Sequence, residues 1–200
     1  ERNCPENIFL YNLYEVDTIS SINSREMIKS KIFKMMPESK GTATITTGNP
    51  PYVRVKVSDF ENLGFHSNKC GNLSAYFLEQ AINVTQIGKV VCQIVPLSIT
   101  QSERMLPIRQ VLQERCSSLE IESYDCVPGY LFDQGKIGSN SSSSITQRVA
   151  IINAKIGPEN VSVETTRLIR WGSKERNILF ENIKKVEIPN SYSENYQFPM

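Results

Sequence analysis

Gly41-Thr42-Ala43-Thr44-Ile45-Thr46-Thr47-Gly48-Asn49-Pro50-Pro51-Tyr52 is the stretch that decides the reading of this chain. Its first eight residues are rich in β-branched side chains and close on glycine, which predicts a strand ending at Gly48. Two prolines come soon after. Proline fixes its own φ and pushes the preceding residue towards extended conformations, so Asn49 and Pro50 are both held extended and the loop is stiff. In an open α/β sheet, ligands bind just beyond the carboxyl ends of the strands, and a rigid loop there is a candidate active site.

The residue types in that loop favour one kind of chemistry. The amide oxygen of Asn49 and the carbonyl of Pro50 can both accept hydrogen bonds from an exocyclic amino group, drawing its lone pair out of conjugation and towards an electrophile. Tyr52 supplies a ring to stack on the planar base or amide that carries this nitrogen. No strong base is needed, because the amino proton becomes acidic only after alkylation. Positioning does most of the work.

The tetrapeptide Asn49-Pro50-Pro51-Tyr52, flanked by Thr47-Gly48 and Val53-Arg54, resembles motif IV of the amino-group methyltransferases that use S-adenosyl-L-methionine. The likeness is strongest to the Eco57I-like N6-adenine DNA methyltransferases of restriction-modification systems. The same tetrapeptide serves enzymes that methylate glutamine in proteins, and a proline-rich turn after a strand is its plainest alternative. The order of the segments carboxyl-terminal to Tyr52 favours the DNA enzymes.

Gly71 to Ile82 carries apolar residues at helical spacing and resembles that family's motif V helix, with its aromatic-Leu-Glu run at Phe77-Leu78-Glu79. Gly88 to Pro96 is a buried apolar strand between a glycine and a proline and resembles motif VI. Ser102 to Cys116 predicts an amphipathic helix capped by Ser102, with an arginine near the family's position at Arg109. Leu119 to Tyr124 predicts the next strand. Leu131-Phe132-Asp133-Gln134-Gly135-Lys136, ahead of a strand at Arg148 to Ala154, resembles motif VIII. Thr166 to Phe180 predicts a strand turning at Gly172 into a helix capped by Ser173, with Ile178, Leu179 and Ile183 buried and Trp171 anchoring the helix to the core.

The resemblance implies an α/β fold, an S-adenosylmethionine-dependent methyltransferase-like, Rossmann-like sheet with helices on both faces. It implies catalytic roles for Asn49, Pro50, Pro51 and Tyr52, and stacking of an extruded adenine between Tyr52 and Phe132. Extrusion is needed because the amino group of a paired base is out of a methyl donor's reach. Rotating the nucleotide out costs roughly a few kcal/mol, and aromatic stacking returns about 1–3 kcal/mol per base. Glu15, after an apolar run from Ile8 to Tyr14, is the candidate for binding the ribose of the donor, ahead of a helix from Ile22 to Met36. The ten glycines include no Gly-x-Gly, so the donor's glycine-rich turn is expected upstream and the chain reads as a catalytic segment of a longer enzyme. Residues 1–188 read as that segment and 189–200 as a linker or the start of a further domain.

Composition sets wider bounds. Two hundred residues, 40% apolar, suffice for one core, and no apolar run has the length of a membrane span or the form of a signal peptide. A cytoplasmic location is expected. Five cysteines without a Cys-x-x-Cys pair argue against a disulfide framework and a structural zinc site. His66 is the single histidine, which leaves little for a Ser-His-Asp relay or a multi-histidine metal centre. Sequons at Asn72, Asn83, Asn140 and Asn160 carry little weight without a signal peptide.

A net charge of +1 is low for a protein whose partner is double-stranded DNA, so local basic groups matter more than the total. Arg54 and Lys56 after the motif, and Lys136 and Arg148 near Phe132, are the candidate DNA contacts; Arg167, Arg170, Lys174 and Arg176 add to them. Gly138 to Ser144 is a low-complexity polar tract with nothing to bury. A fused or separate restriction endonuclease or recognition domain is the further partner expected. The competing readings are a non-catalytic DNA-binding or assembly fragment and a protein-glutamine methyltransferase.

Overall fold

The computed structural model describes residues 43–59, 64–126, 147–158, 161–181, 183–189 and 198. Among them, six strands form one mixed sheet. They are β1 (Ala43–Gly48), β2 (Thr85–Pro96), β3 (Cys116–Tyr124), β4 (Val149–Ile156), β5 (Ser162–Thr165) and β6 (Val186–Ile188), in the spatial order β1-β2-β4-β3-β5-β6. The helices are α1 (Leu73–Val84), α2 (Ser98–Gln101) and α3 (Leu106–Arg115).

β1 ends where the glycine predicted it, and it pairs in parallel with β2, from Ile45 opposite Val90 to Gly48 opposite Gln93. Parallel neighbours need a crossover, and α1 supplies it. Asn72 caps α1, its Oδ1 accepting from the Ser74 amide at 2.9 Å and the Ser74 hydroxyl at 2.7 Å. Nearly every residue of α1 is buried, including Tyr76, Leu78 and Ile82. This is the profile of a helix packed on several sides.

β4 lies between β2 and β3 and is antiparallel to both, so β1, β2 and β3 all run the same way. Their carboxyl ends therefore share one edge of the sheet. Along β2, β4 and β3, the row containing Val91, Val95, Ile152, Ala154, Leu119 and Ile121 is buried, whereas Cys92, Ile94, Ile151, Asn153 and Glu120 are only partly covered. Alternation of this kind marks one face packed and one face open. The fold is of the expected α/β class, and among the described residues the burial pattern puts the helical layer on the Val91 face.

Three local expectations need correction. Ser102 caps nothing with its side chain: the predicted helix divides into a 3-10 turn at Glu103–Met105 and α3, which starts with Pro107 in its first turn. The Ser102 carbonyl instead accepts from Arg109 Nη1 at 2.7 Å, and the Ile99 carbonyl accepts from the same nitrogen at 3.0 Å. Arg109 is buried for that reason. After Gly172 the chain forms a 3-10 helix, Ser173–Ile178, and Ile178 is 53% exposed, not buried. The Gly172 amide donates to Glu175 Oε2 at 2.7 Å, so Glu175 caps this turn. The strand expected before it is β5, which ends at Thr165; beyond it only Ile169 bridges to Tyr124. Trp171 is buried, as expected of an anchor.

Candidate active site

Asn49, Pro50, Pro51 and Tyr52 come directly after the last residue of β1. Pro50 is buried and anchors the loop, while Asn49 is exposed. Neither the Asn49 amide nor the Pro50 carbonyl takes a hydrogen-bond partner among the described residues, and the Asn49 amide is exposed to a ligand. Tyr52 is pinned. β1 stops pairing at Gln93, and just beyond it the Tyr52 hydroxyl donates to the Ile94 carbonyl at 3.0 Å. Burial pushes the Tyr52 phenol well above its ordinary range, which keeps it a neutral donor.

The chain after Tyr52 is fastened to the approach of α1. The Leu73 amide donates to the Val53 carbonyl and the Val55 amide to the Gly71 carbonyl, both at 3.0 Å, and Arg54 bridges Asn72. Gly71 adopts φ 53, a left-handed conformation that favours glycine. Its carbonyl also accepts from Arg104 Nη2 at 2.9 Å. Glu79 of α1, 1% exposed, holds the preceding turn by accepting from the His66 and Ser67 amides at 3.0 and 2.7 Å. Thus Glu79 is a structural clamp beneath the loop, and His66 is exposed at its surface.

At the same sheet edge, Asp125 lies immediately past β3 and is 3% exposed. Arg148, immediately before β4, donates its Nε to Asp125 Oδ1 at 2.9 Å; Arg170 donates its Nε to Oδ2 at 2.8 Å. The Cys126 amide adds a third bond to Oδ1 at 2.8 Å. Burial pushes this carboxyl up, but the bonds from Arg170 and Arg148 outweigh it and hold the pKa at about 2. The native carboxyl thus lies below its unfolded value of about 3.9, so its stabilising contribution is complete above that pH and fades as pH falls from about 4 to about 2. The stability gap between the parent and Asp125→Asn should narrow over that window in denaturant titrations; a gap independent of pH between 2 and 5 would contradict the assignment.

The structure brings Asn49, Pro50, Pro51 and Tyr52 together on one loop and puts the exposed Arg54 and Lys56 on its continuation. Arg148 stands at the same edge two strands away. Glu15, Phe132 and Lys136 lie outside the described residues, as do the Ile8 to Tyr14 and Ile22 to Met36 segments and the Gly138 to Ser144 tract. Sequence reasoning missed Asp125, Glu79 and the Ile94 carbonyl. An acidic residue directly after an apolar strand was the one signal available for Asp125. Among the described residues, no group of three or more His, Cys, Asp or Glu could hold a metal ion, and no helix is long and apolar enough to cross a membrane.

Residues 6–126, more than half of the chain, match the family described as Eco57I restriction-modification methylase. The chain belongs to that family. Its fold is shared with DrdV in its complex with DNA, at TM-score 0.57 and 13% identity over 83% of this chain and 19% of that one. A nuclease-deletion mutant of the Type ISP restriction-modification enzyme LlaGI, in complex with a DNA substrate mimic, gives TM-score 0.54 and 16% identity over 86% of this chain and 19% of that one. A modification subunit assigned to a type I restriction enzyme of Vibrio vulnificus YJ016 gives 0.52 and 12% over 82% and 38%. This Eco57I-family chain therefore spans about a fifth to two fifths of the length of those structures. No curated protein matches it in sequence.

The hydroxyl bond of Tyr52 and its ring can be removed separately. Tyr52→Phe removes the bond to Ile94 and keeps the stacking surface, a loss of about 1 kcal/mol that should weaken substrate engagement by no more than about tenfold. Tyr52→Ala also removes the ring, and on the sequence expectation that this ring stacks on a base it should cost a further ~1–3 kcal/mol, the worth of one stacked base. Comparing KM for DNA in the two variants checks this. Equal losses would show that the ring contributes nothing.

Proposed function

We propose that this chain is the acceptor-binding segment of a site-specific DNA adenine-N6 methyltransferase acting within a restriction-modification system. The observation that carries this reading is the rigid Asn49 to Tyr52 loop at the carboxyl end of β1, with its two acceptors unpaired among the described residues and its tyrosine pinned to β2. Family membership and the restriction-modification context support it. The DNA complexes of DrdV and LlaGI support DNA as the partner.

In this reading a target adenine leaves the double helix and enters the edge beside Asn49. The Asn49 Oδ1 and the Pro50 carbonyl accept the two N6 hydrogens. Held this way, the nitrogen loses conjugation with the ring and its lone pair is directed at the incoming methyl group. Tyr52 stacks on one side of the base and Phe132 closes the other. Fixed orientation is the main source of rate, because a stiff loop presents the acceptors without reorganisation.

S-adenosyl-L-methionine is the methyl donor in this proposal and supplies an electrophilic methyl carbon. The described residues form no site that fits it: they hold no glycine-rich turn, and Glu15, the candidate for its ribose, lies outside them. Arg54, Lys56, Lys136 and Arg148 are the proposed DNA contacts. A restriction endonuclease or recognition domain, fused or separate, and a cytoplasmic location complete the reading.

Transfer of a labelled methyl group from S-adenosylmethionine by the intact protein, offered unmethylated DNA and a protein extract side by side, tests it. Label in DNA is the expected result. Label confined to protein would favour glutamine methylation, and label in neither would favour a non-catalytic role.

A further inference from the structure

Asp125, Arg148 and Arg170 form a cluster that the proposed transfer step does not use. Register explains how they meet. Val149 pairs with Tyr124, which brings Arg148 opposite Asp125, and the Asp125 amide donates to the Ile169 carbonyl at 2.9 Å, which brings Arg170 alongside. The Leu97 amide, just past β2, donates to the Arg148 carbonyl at 3.0 Å and fixes that backbone too.

The asymmetry of burial is informative. The carboxylate side chain is 1% exposed, whereas the arginines are 54% and 67% exposed. Each guanidinium bonds to Asp125 through Nε; Arg148 also bonds to the Cys126 side chain, and among the described residues no carboxylate or carbonyl takes the Nη groups. One carboxylate offsets one of two positive charges, so the cluster keeps a net positive charge at the surface. Its remaining N–H donors match the oxygens of a phosphate. Two long side chains held from below also lose less freedom on binding than free ones do.

Position supplies the second argument. With strands about 5 Å apart, Arg148 lies two strands from Asn49 along the shared edge, a separation on the order of 10–15 Å once its offset along β4 is included. Phosphates of one DNA strand succeed each other at about 3.4 Å of rise, so this is a reach of roughly three to four nucleotides from the target base.

We propose that Arg148 and Arg170, held by Asp125, form a clamp for a backbone phosphate of the DNA strand whose target base enters beside Asn49. The clamp rests on the DNA reading of the site. Asp125 is its positioning residue: it touches no substrate and acts by aiming the two guanidiniums.

Asp125→Asn separates this from general electrostatics, because it raises the net positive charge while releasing the arginines. Affinity of the intact protein for a fluorescent duplex, measured by anisotropy over a series of KCl concentrations, is the readout. The clamp predicts that Asp125→Asn binds roughly tenfold more weakly and that its plot of log affinity against log salt becomes shallower by about 0.9, one lost phosphate. Arg148→Lys and Arg170→Lys, which keep charge but lose the fork, should each weaken binding by about tenfold. If Asp125→Asn does not fold by circular dichroism, the two lysine variants decide. Binding equal to or tighter than the parent in the folded variants overturns the clamp. If those variants bind normally while the parent methylates DNA, the clamp alone fails; if the parent does not bind duplex, the clamp and the DNA reading fail together.

Discussion

Asn49→Ala is expected to lower the rate of methyl transfer by the intact protein on the order of 10²–10³-fold, the scale on which removal of one preorganised hydrogen-bonding group acts in other enzymes. The fold should survive. Asn49 is exposed and its side chain holds nothing else among the described residues, while the buried Pro50 continues to anchor the loop. DNA affinity should change little, because the amide is proposed to meet one amino group and not the phosphates. Initial rates at saturating DNA, with circular dichroism as the control, check all three statements. Turnover like that of the parent would remove Asn49 from the mechanism.

Gly71→Ala is expected to damage the same site from a distance. At φ 53 a side chain is strained whatever the space around it, and here the space is also taken: an added Cβ would lie 2.5 Å from Arg104 Nη2 and 3.1 Å from the Val55 carbonyl oxygen. Arg104 can swing away, at the cost of its bond to the Gly71 carbonyl. The Val55 backbone cannot move without pulling on the strap that joins Val53 and Val55 to Leu73 and Gly71. The local cost is about 2–3 kcal/mol. Amide hydrogen exchange at Val55 and Leu73 should therefore accelerate by roughly 30- to 160-fold, with a parallel loss of methyl transfer. Unchanged protection at both amides would show that the strap does not position the loop.

The parts of the fold that were legible in the sequence are those with a short-range signature. β1 closed on its glycine, and α1 and β2 to β4 lay within a few residues of where periodicity put them. Asn72, which the periodicity places inside the helix, is instead its cap. Ser102 failed as a cap of one long helix because the chain after it forms a separate 3-10 turn, and the α-helix begins only at Leu106 with Pro107 in its first turn. The helix expected after Gly172 became a 3-10 turn, since the fold leaves Ile178 outside the core.

Half of the candidate site was legible for the same reason. Asn49 to Tyr52 is one continuous string whose chemistry is carried by its residue types. The hold on that string was not legible, because it comes from afar: the Ile94 carbonyl is 42 residues from Tyr52 in sequence. Arg148 and Arg170 could be counted as basic residues, but their joint dependence on Asp125 exists only once β3, β4 and the Ile169 segment lie side by side. Separations of 23 and 45 residues leave no periodic trace.

The central claim is that the loop after β1 presents a base amino group for methylation, and the modified nucleoside reports on it directly. Genomic DNA from a methylation-deficient host expressing the intact protein, digested to nucleosides and analysed by mass spectrometry, requires no knowledge of the recognition sequence. N6-methyladenine is expected with the parent protein and far less of it with Asn49→Ala. A methylated cytosine in its place, N6-methyladenine undiminished in the variant, or no methylated base from the parent would contradict it.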